Sequence, residues 1–264
     1  KHRLNKTDVF PGDYVEFTVL DDAQELQGVV EKVLPRNNLL MRPLVANVSQ
    51  LICVTAAKSP MPNFFLLDKL LVCAEIIDLQ VVVCINKTDL APEESREVAE
   101  KYSRVGYRVI LTSAKTQEGI DSLKHLMADH LSVFAGQSGV GKSSLLNILK
   151  PEAKMEVGEI SSKLKTGKHT TKHVELFTLE NGAFVADTPG FSRIDVPPMV
   201  RQEVSDYFPE IRKLRPKCKF NTCLHNTEPG CAVTAAVEAG EIDALRYRSY
   251  ITLLNETIAR ERSF

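Results

Sequence analysis

Eight consecutive residues, Gly136-Gln137-Ser138-Gly139-Val140-Gly141-Lys142-Ser143, carry the spacing Gly-x4-Gly-Lys-Ser. That spacing suits phosphate binding. Glycines let the backbone turn tightly and bring N–H groups against phosphate oxygens. Lys142 would reach the β- and γ-phosphates, the Ser143 hydroxyl would ligate Mg²⁺, and Ser144 completes the loop. The flanks agree. Leu131 to Ala135 reads as a short buried strand, and Ser144 to Leu149 reads as a helix whose N-terminus adds partial positive charge. An accidental glycine-rich turn would not be expected to sit between those two elements.

Four further stretches could complete a nucleotide site. Asn86-Lys87-Thr88-Asp89 follows an apolar run. An aspartate there accepts two hydrogen bonds from the guanine N1–H and 2-amino group; adenine lacks both donors, so a buried carboxylate discriminates between the bases. Asn86 would bond the base edge and the neighbouring loop, and the Lys87 stem would cover the base. Ser113-Ala114-Lys115 suits a second base-contacting loop, with a backbone N–H toward guanine O6. In Asp187-Thr188-Pro189-Gly190, Asp187 would hold the Mg²⁺ shell and the Gly190 N–H would sense a γ-phosphate. Gly167-Lys168-His169-Thr170-Thr171 offers a threonine for Mg²⁺, with Thr170 favoured over Thr171. Phe191, directly after Gly190, cannot orient a water. His169, an imidazole in the polar segment that carries the switch threonine, is the candidate to do so; a solvated loop histidine is the plain alternative. Without a water-orienting glutamine, intrinsic turnover is expected on the order of 10⁻³ s⁻¹ or less.

A separate cluster lies near the end. Cys218, Cys223, His225 and Cys231 fall within fourteen residues and supply the ligand set of one closed structural Zn²⁺ site. Cys53, Cys73 and Cys84 sit singly in apolar runs and read as core residues. This split argues for a reducing compartment rather than a disulfide framework. Arg212, Lys213, Arg215, Lys217 and Lys219 form a run without an acid, which suits RNA phosphates or an ordinary solvated turn.

The elements that must position these groups follow from pattern. Residues 1–57 look all-β: Val15, Phe17 and Val19 alternate with Tyr14, Glu16 and Thr18, and Leu26 to Leu34, Asn38 to Met41 and Val48 to Val54 are further strands. An oligonucleotide-binding-like barrel is the expectation. Lys1, Arg3, Lys6, Lys32, Arg36 and Arg42 would face RNA, or the barrel would be a plain interaction module. Residues 58–196 alternate helix and strand in the manner of a parallel α/β sheet. Residues 197–264 look helical, with the Cys/His cluster embedded. The chain has 264 residues, 44% hydrophobic and 25% charged, with net charge −1. Global charge therefore does not advertise a nucleic-acid binder. No run approaches a membrane span and no secretory leader is visible, so a cytoplasmic monomer is expected.

Order is the telling feature. A Ras-like chain runs phosphate loop, switch threonine, Asp-x-x-Gly, Asn-Lys-x-Asp, Ser-Ala-Lys. Here the last two come first, so the expected fold is a circularly permuted α/β P-loop GTPase core between a β-barrel and a zinc-binding helical domain. With GQSGVGKSSLLN, GKHTTKHVEL, DTPGF and the Cys/His cluster, the chain resembles the bacterial ribosome small subunit-dependent GTPase A family over its whole length. The resemblance implies a GTPase that cycles between GTP and GDP, binds the small ribosomal subunit and its rRNA late in assembly, and is activated by it. It also points to His169. Two rivals are a P-loop kinase or metabolic ATPase, and a non-catalytic RNA-binding or scaffold protein that nucleotide merely stabilises.

Overall fold

The computed structural model describes residues 8–20, 27–41, 43–153, 174–179, 182–187 and 196–263. Its centre is a six-stranded sheet with strand order β7-β6-β5-β8-β10-β9. The strands are β5 (Gln50–Ala56), β6 (Gln80–Asn86), β7 (Arg108–Leu111), β8 (Leu131–Ala135), β9 (Glu175–Thr178) and β10 (Phe184–Asp187). All neighbours run parallel except β9, which pairs antiparallel with β10.

Near-continuous apolar runs form the middle strands, because helices cover both faces. Alternate residues of β5 serve opposite sides. Ile52 and Val54 pack with Leu123 and Met127 of α3 (Ile120–Met127) and Leu145 and Leu149 of α4 (Lys142–Leu149). Leu51 and Cys53 pack with Leu67, Leu70 and Leu71 of α1 (Phe64–Ile76) and Val98 and Tyr102 of α2 (Pro92–Val105). Local signals set the helix ends. Pro92 opens α2 with Glu93 and Glu94 in its first turn, and Gly106 closes it at φ 110°, a left-handed conformation that glycine tolerates.

The division expected at residue 57 cuts this sheet. The strand assigned to the barrel near Val48 to Val54 is β5, buried along its whole length between β6 and β8. An all-apolar strand fits a barrel and a parallel sheet equally well by pattern; pairing partners decide. Ahead of it, the described residues form two antiparallel ribbons, β1 (Val15–Leu20) with β2 (Gln27–Val33) and β3 (Leu39–Met41) with β4 (Leu44–Ala46). Phe17 and Val19 are exposed, and β1 pairs with β2 alone among the described residues.

The C-terminal layer holds α5 (Pro209–Leu214), α6 (Ala232–Glu238) and α7 (Ala244–Glu261). Asp243 caps α7, accepting from the N–H groups of Leu245 and Arg246. Phe208, Tyr250, Leu253 and Leu254 make a third core with Val72 and Cys73 of α1. Among the described residues no helix is long and apolar enough to cross a membrane.

Candidate functional site

Four loops meet at the carboxyl ends of β5, β6, β7 and β8, where an open α/β sheet places ligand sites. Gly136 leaves β8 at φ 140°, and a side chain there would overlap the Val54 carbonyl. Gly141 caps α4 at φ 99°, and a Cβ there would overlap the Asn86 amide nitrogen. Lys142 begins the helix. Its ammonium donates to the carbonyls of Gly136 and Gln137, each at 2.9 Å. Burial pulls its pKa down to about 8. Gln137, Ser143 and Ser144 are half-buried, Val140 is buried, and Ser138 and Gly139 are exposed. The Ser143 hydroxyl, a hard oxygen donor in the first turn of α4, is the chemistry Mg²⁺ takes.

Asn86 joins the loops. It is 0% exposed. Its Nδ2 donates to Val140 O at 2.9 Å, while its Oδ1 accepts from Ala114 N at 3.1 Å and Thr112 Oγ1 at 3.3 Å. The loop-holding role expected of Asn86 is thus present in its contacts, and the second N–H of Nδ2 is left for a base edge. Lys87 takes φ 64°, uncommon outside glycine and a mark of a held conformation. Its ammonium reaches Ser59 O at 2.5 Å and Gly139 O at 2.6 Å. Thr88 donates to Thr112 O at 3.1 Å. Asp89 Oδ1 accepts from Ser113 Oγ at 2.7 Å, which fixes the carboxylate beside the Ser113-Ala114-Lys115 loop; Lys115 is exposed. Asp187 ends β10 beside β8. Its side chain lies outside the described residues, as do His169, Thr170, Gly190 and Phe191.

The sequence reading missed the segment before α1. Asn63 N–H donates to Gln137 Oε1 at 3.2 Å, and Pro60 lies beside Gly139. Residues 59–63 therefore form one wall of the cleft. Their only sequence signal is a Ser-Pro-Met-Pro turn directly after β5.

The second centre is compact. The ligand atoms of Cys218, Cys223, His225 and Cys231 lie within 4.8 Å of one another. Cys218 Sγ is 3.9 Å from Cys231 Sγ, and the two sulfurs are 3.4 and 3.5 Å from His225 Nδ1. A tetrahedron with metal–sulfur bonds of about 2.3 Å has edges of roughly 3.8 Å, so the donor set fits Zn²⁺. Nδ1 is the inward nitrogen. No open position remains among three thiolates and one imidazole, so the metal would be structural. Supporting groups absent from the sequence reading hold the knuckle: Glu228 accepts from Leu224, Asn226 and Thr227 N–H, and Tyr247 and Tyr250 donate to His225 O and Leu224 O at 2.8 and 2.7 Å. The adjacent basic run is partly spent. Arg212 bridges to Glu75 at 3.4 Å, and Arg215 pairs with Asp206. Toward the other end of the chain, Arg36 pairs with Asp13 at 2.6 Å and Lys32 with Glu16 at 3.3 Å; Lys1, Arg3, Lys6 and Arg42 lie outside the described residues.

The chain is similar to known proteins over nearly its whole length. The RsgA GTPase family model matches residues 33–197. A small ribosomal subunit biogenesis GTPase RsgA of Moorella thermoacetica is 50% identical over 264 residues, covering 100% of this chain and 90% of its own. One from Ruminiclostridium cellulolyticum is 45% identical over 95% of this chain and 82% of its own. Among solved structures, YloQ, described as a circularly permuted GTPase, superposes with TM-score 0.79 at 38% identity, over 98% of this chain and 84% of that one. YjeQ from Thermotoga maritima gives 0.80 at 39%, over 95% and 85%.

Proposed function

This chain belongs to the RsgA GTPase family, and from that premise we infer that it is a circularly permuted GTPase acting in small ribosomal subunit biogenesis. The observation that carries the reading is the junction at Asn86. One buried side chain braces the phosphate loop and the Ser-Ala-Lys loop against Asn-Lys-x-Asp, so triphosphate and base would be read by one rigid unit. Asp89 would accept the guanine N1–H and 2-amino group. Lys142 and the loop N–H groups would hold the β- and γ-phosphates. Ser143 and Thr170 would hold Mg²⁺, which when bound neutralises charge on those phosphates. His169 would orient the attacking water in place of Phe191, after the small subunit has ordered its segment. A single zinc would knit the C-terminal layer, and Lys213, Lys217 and Lys219 would meet rRNA phosphates. GTP hydrolysis would release a cytoplasmic monomer from the subunit.

Steady-state hydrolysis with and without purified small ribosomal subunits tests the reading, with large subunits and ATP as controls. The expected result is stimulation of at least tenfold by the small subunit alone and with GTP alone; no response to any ribosomal particle would overturn it. His169→Ala is expected to abolish the stimulated rate while GDP affinity stays within about twofold. Asp89→Asn is expected to weaken GDP binding at least a hundredfold, since it replaces a carboxylate that pairs with two donors.

A further inference from the structure

A helix lying between two layers can link them when both its ends and both its faces are held, and α1 meets that condition. Its N-terminus abuts the phosphate loop through Asn63 and Gln137, and Lys87 ties Ser59 O to Gly139 O just ahead of it. Five residues on, Asp68 points away from the nucleotide cleft and into the C-terminal layer. Its side chain is 1% exposed and accepts from Arg246 Nη1 of α7 at 2.6 Å and from Tyr102 OH at 3.0 Å. Arg246 is equally buried, and its remaining guanidinium donors meet Glu210 of α5 at 2.8 and 3.0 Å, over the Phe208 ring. Three peripheral pairs span the same junction: Lys69 to Glu256, Lys101 to Asp243, and Arg212 to Glu75.

A buried ion pair makes this junction behave as two states. A gap too narrow for water would leave both charges desolvated and unpaired, which is far costlier than either full contact or full separation. A layer held in this way would dock on α1 or lift as a unit. A rigid element biased at both ends by such a junction is what energetic coupling between sites requires.

We propose that Asp68, Arg246 and Glu210 form a positioning cluster that couples nucleotide occupancy of the phosphate loop to docking of the C-terminal helical layer, through α1. This proposal rests on the nucleotide reading above. Reciprocity then makes docking of the layer change nucleotide affinity by the same factor that the nucleotide changes docking.

Hydrogen exchange read by mass spectrometry on the full chain, with and without saturating GDP, tests it. Titration with a fluorescent GDP first establishes occupancy; failure to bind would overturn the nucleotide reading itself and this proposal with it. With binding established, GDP is expected to slow exchange across Ala244–Glu261 at least threefold. Asp68→Asn keeps the Tyr102 acceptor and removes the charge, and is expected to reduce that GDP-dependent change to below half while the protein remains folded. Should that variant fail to fold, the paired change Asp68→Leu with Arg246→Met fills the site with apolar volume and serves in its place. A folded variant that binds GDP and retains the full change would overturn the proposal, because a merely structural pair would alter exchange equally with and without nucleotide. So would an unaltered protein in which GDP leaves α7 exchange unchanged.

Discussion

Lys142 shows what burial does to a working charge. Its pKa falls from 10.5 to about 8, because burial penalises the ammonium. Phosphate binding needs the charged form and raises that pKa again. Below pH 8 the group is already protonated, so it adds no pH dependence to binding. Above pH 8 each binding event must take up a proton. GDP affinity is therefore expected to fall by up to tenfold per pH unit above 8, and to lose that dependence in Lys142→Met; isothermal titration across pH 7 to 9.5 measures both. The sign for folding is opposite. A lowered lysine pKa burdens the fold at pH below 8, and that burden is relieved as pH rises from 8 toward 10.5. Gly141 is the other residue whose constraint is local and severe. A Cβ there meets the Asn86 amide at a positive φ, so Gly141→Ala is expected to displace Asn86 and cost GDP binding at least a hundredfold without changing the far-ultraviolet circular dichroism.

The zinc knuckle and α1 show how an element depends on its surroundings. Cys223 and Cys231 are members of the same core as Phe208, Tyr250 and Leu253. Removing the metal would leave three thiols and an imidazole crowded at one point inside that core. Chelation, or Cys231→Ser, is expected to cost several kcal/mol, which corresponds to a fall of roughly 10 °C in Tm for a domain of this size; an unchanged melting curve after complete zinc removal would contradict the structural role. The sequence of α1 carries an apolar stripe at helical spacing, Leu66, Leu67, Leu70 and Leu71. What the stripe did not convey is that Val72 and Cys73 are also buried, on the far side. Apolar residues nearly all round mark a helix covered on two sides, and Asp68 among them is the one polar position that a partner must satisfy.

At the scale of the molecule, that second burial ties the C-terminal layer to the core. A chain ending at residue 196 exposes Val72, Cys73 and Phe65 and takes away the cation that faces Asp68. It is expected to aggregate or melt well below the full chain, and differential scanning calorimetry with a solubility assay decides. The sequence by itself determined the chemistry: the phosphate loop, the guanine motif, the Cys/His ligand set and the permuted order are contiguous or closely spaced, so residue type and interval are enough to expose them. It also determined that an α/β sheet with helices on both faces would carry them, because period and apolar runs are local properties. Only the tertiary structure decided what lies far apart in the chain. Pairing partners moved β5 into the central sheet. The partners of Asn86 in its expected loop-holding role are Val140 and Ala114, which fold against it. Arg212 and Arg215 found acids that their own run lacks, in Glu75 and Asp206. Arg246 met Asp68 across 178 residues. Hydrogen bonds and ion pairs form over a few ångströms of space, and sequence separation places no limit on which residues meet there.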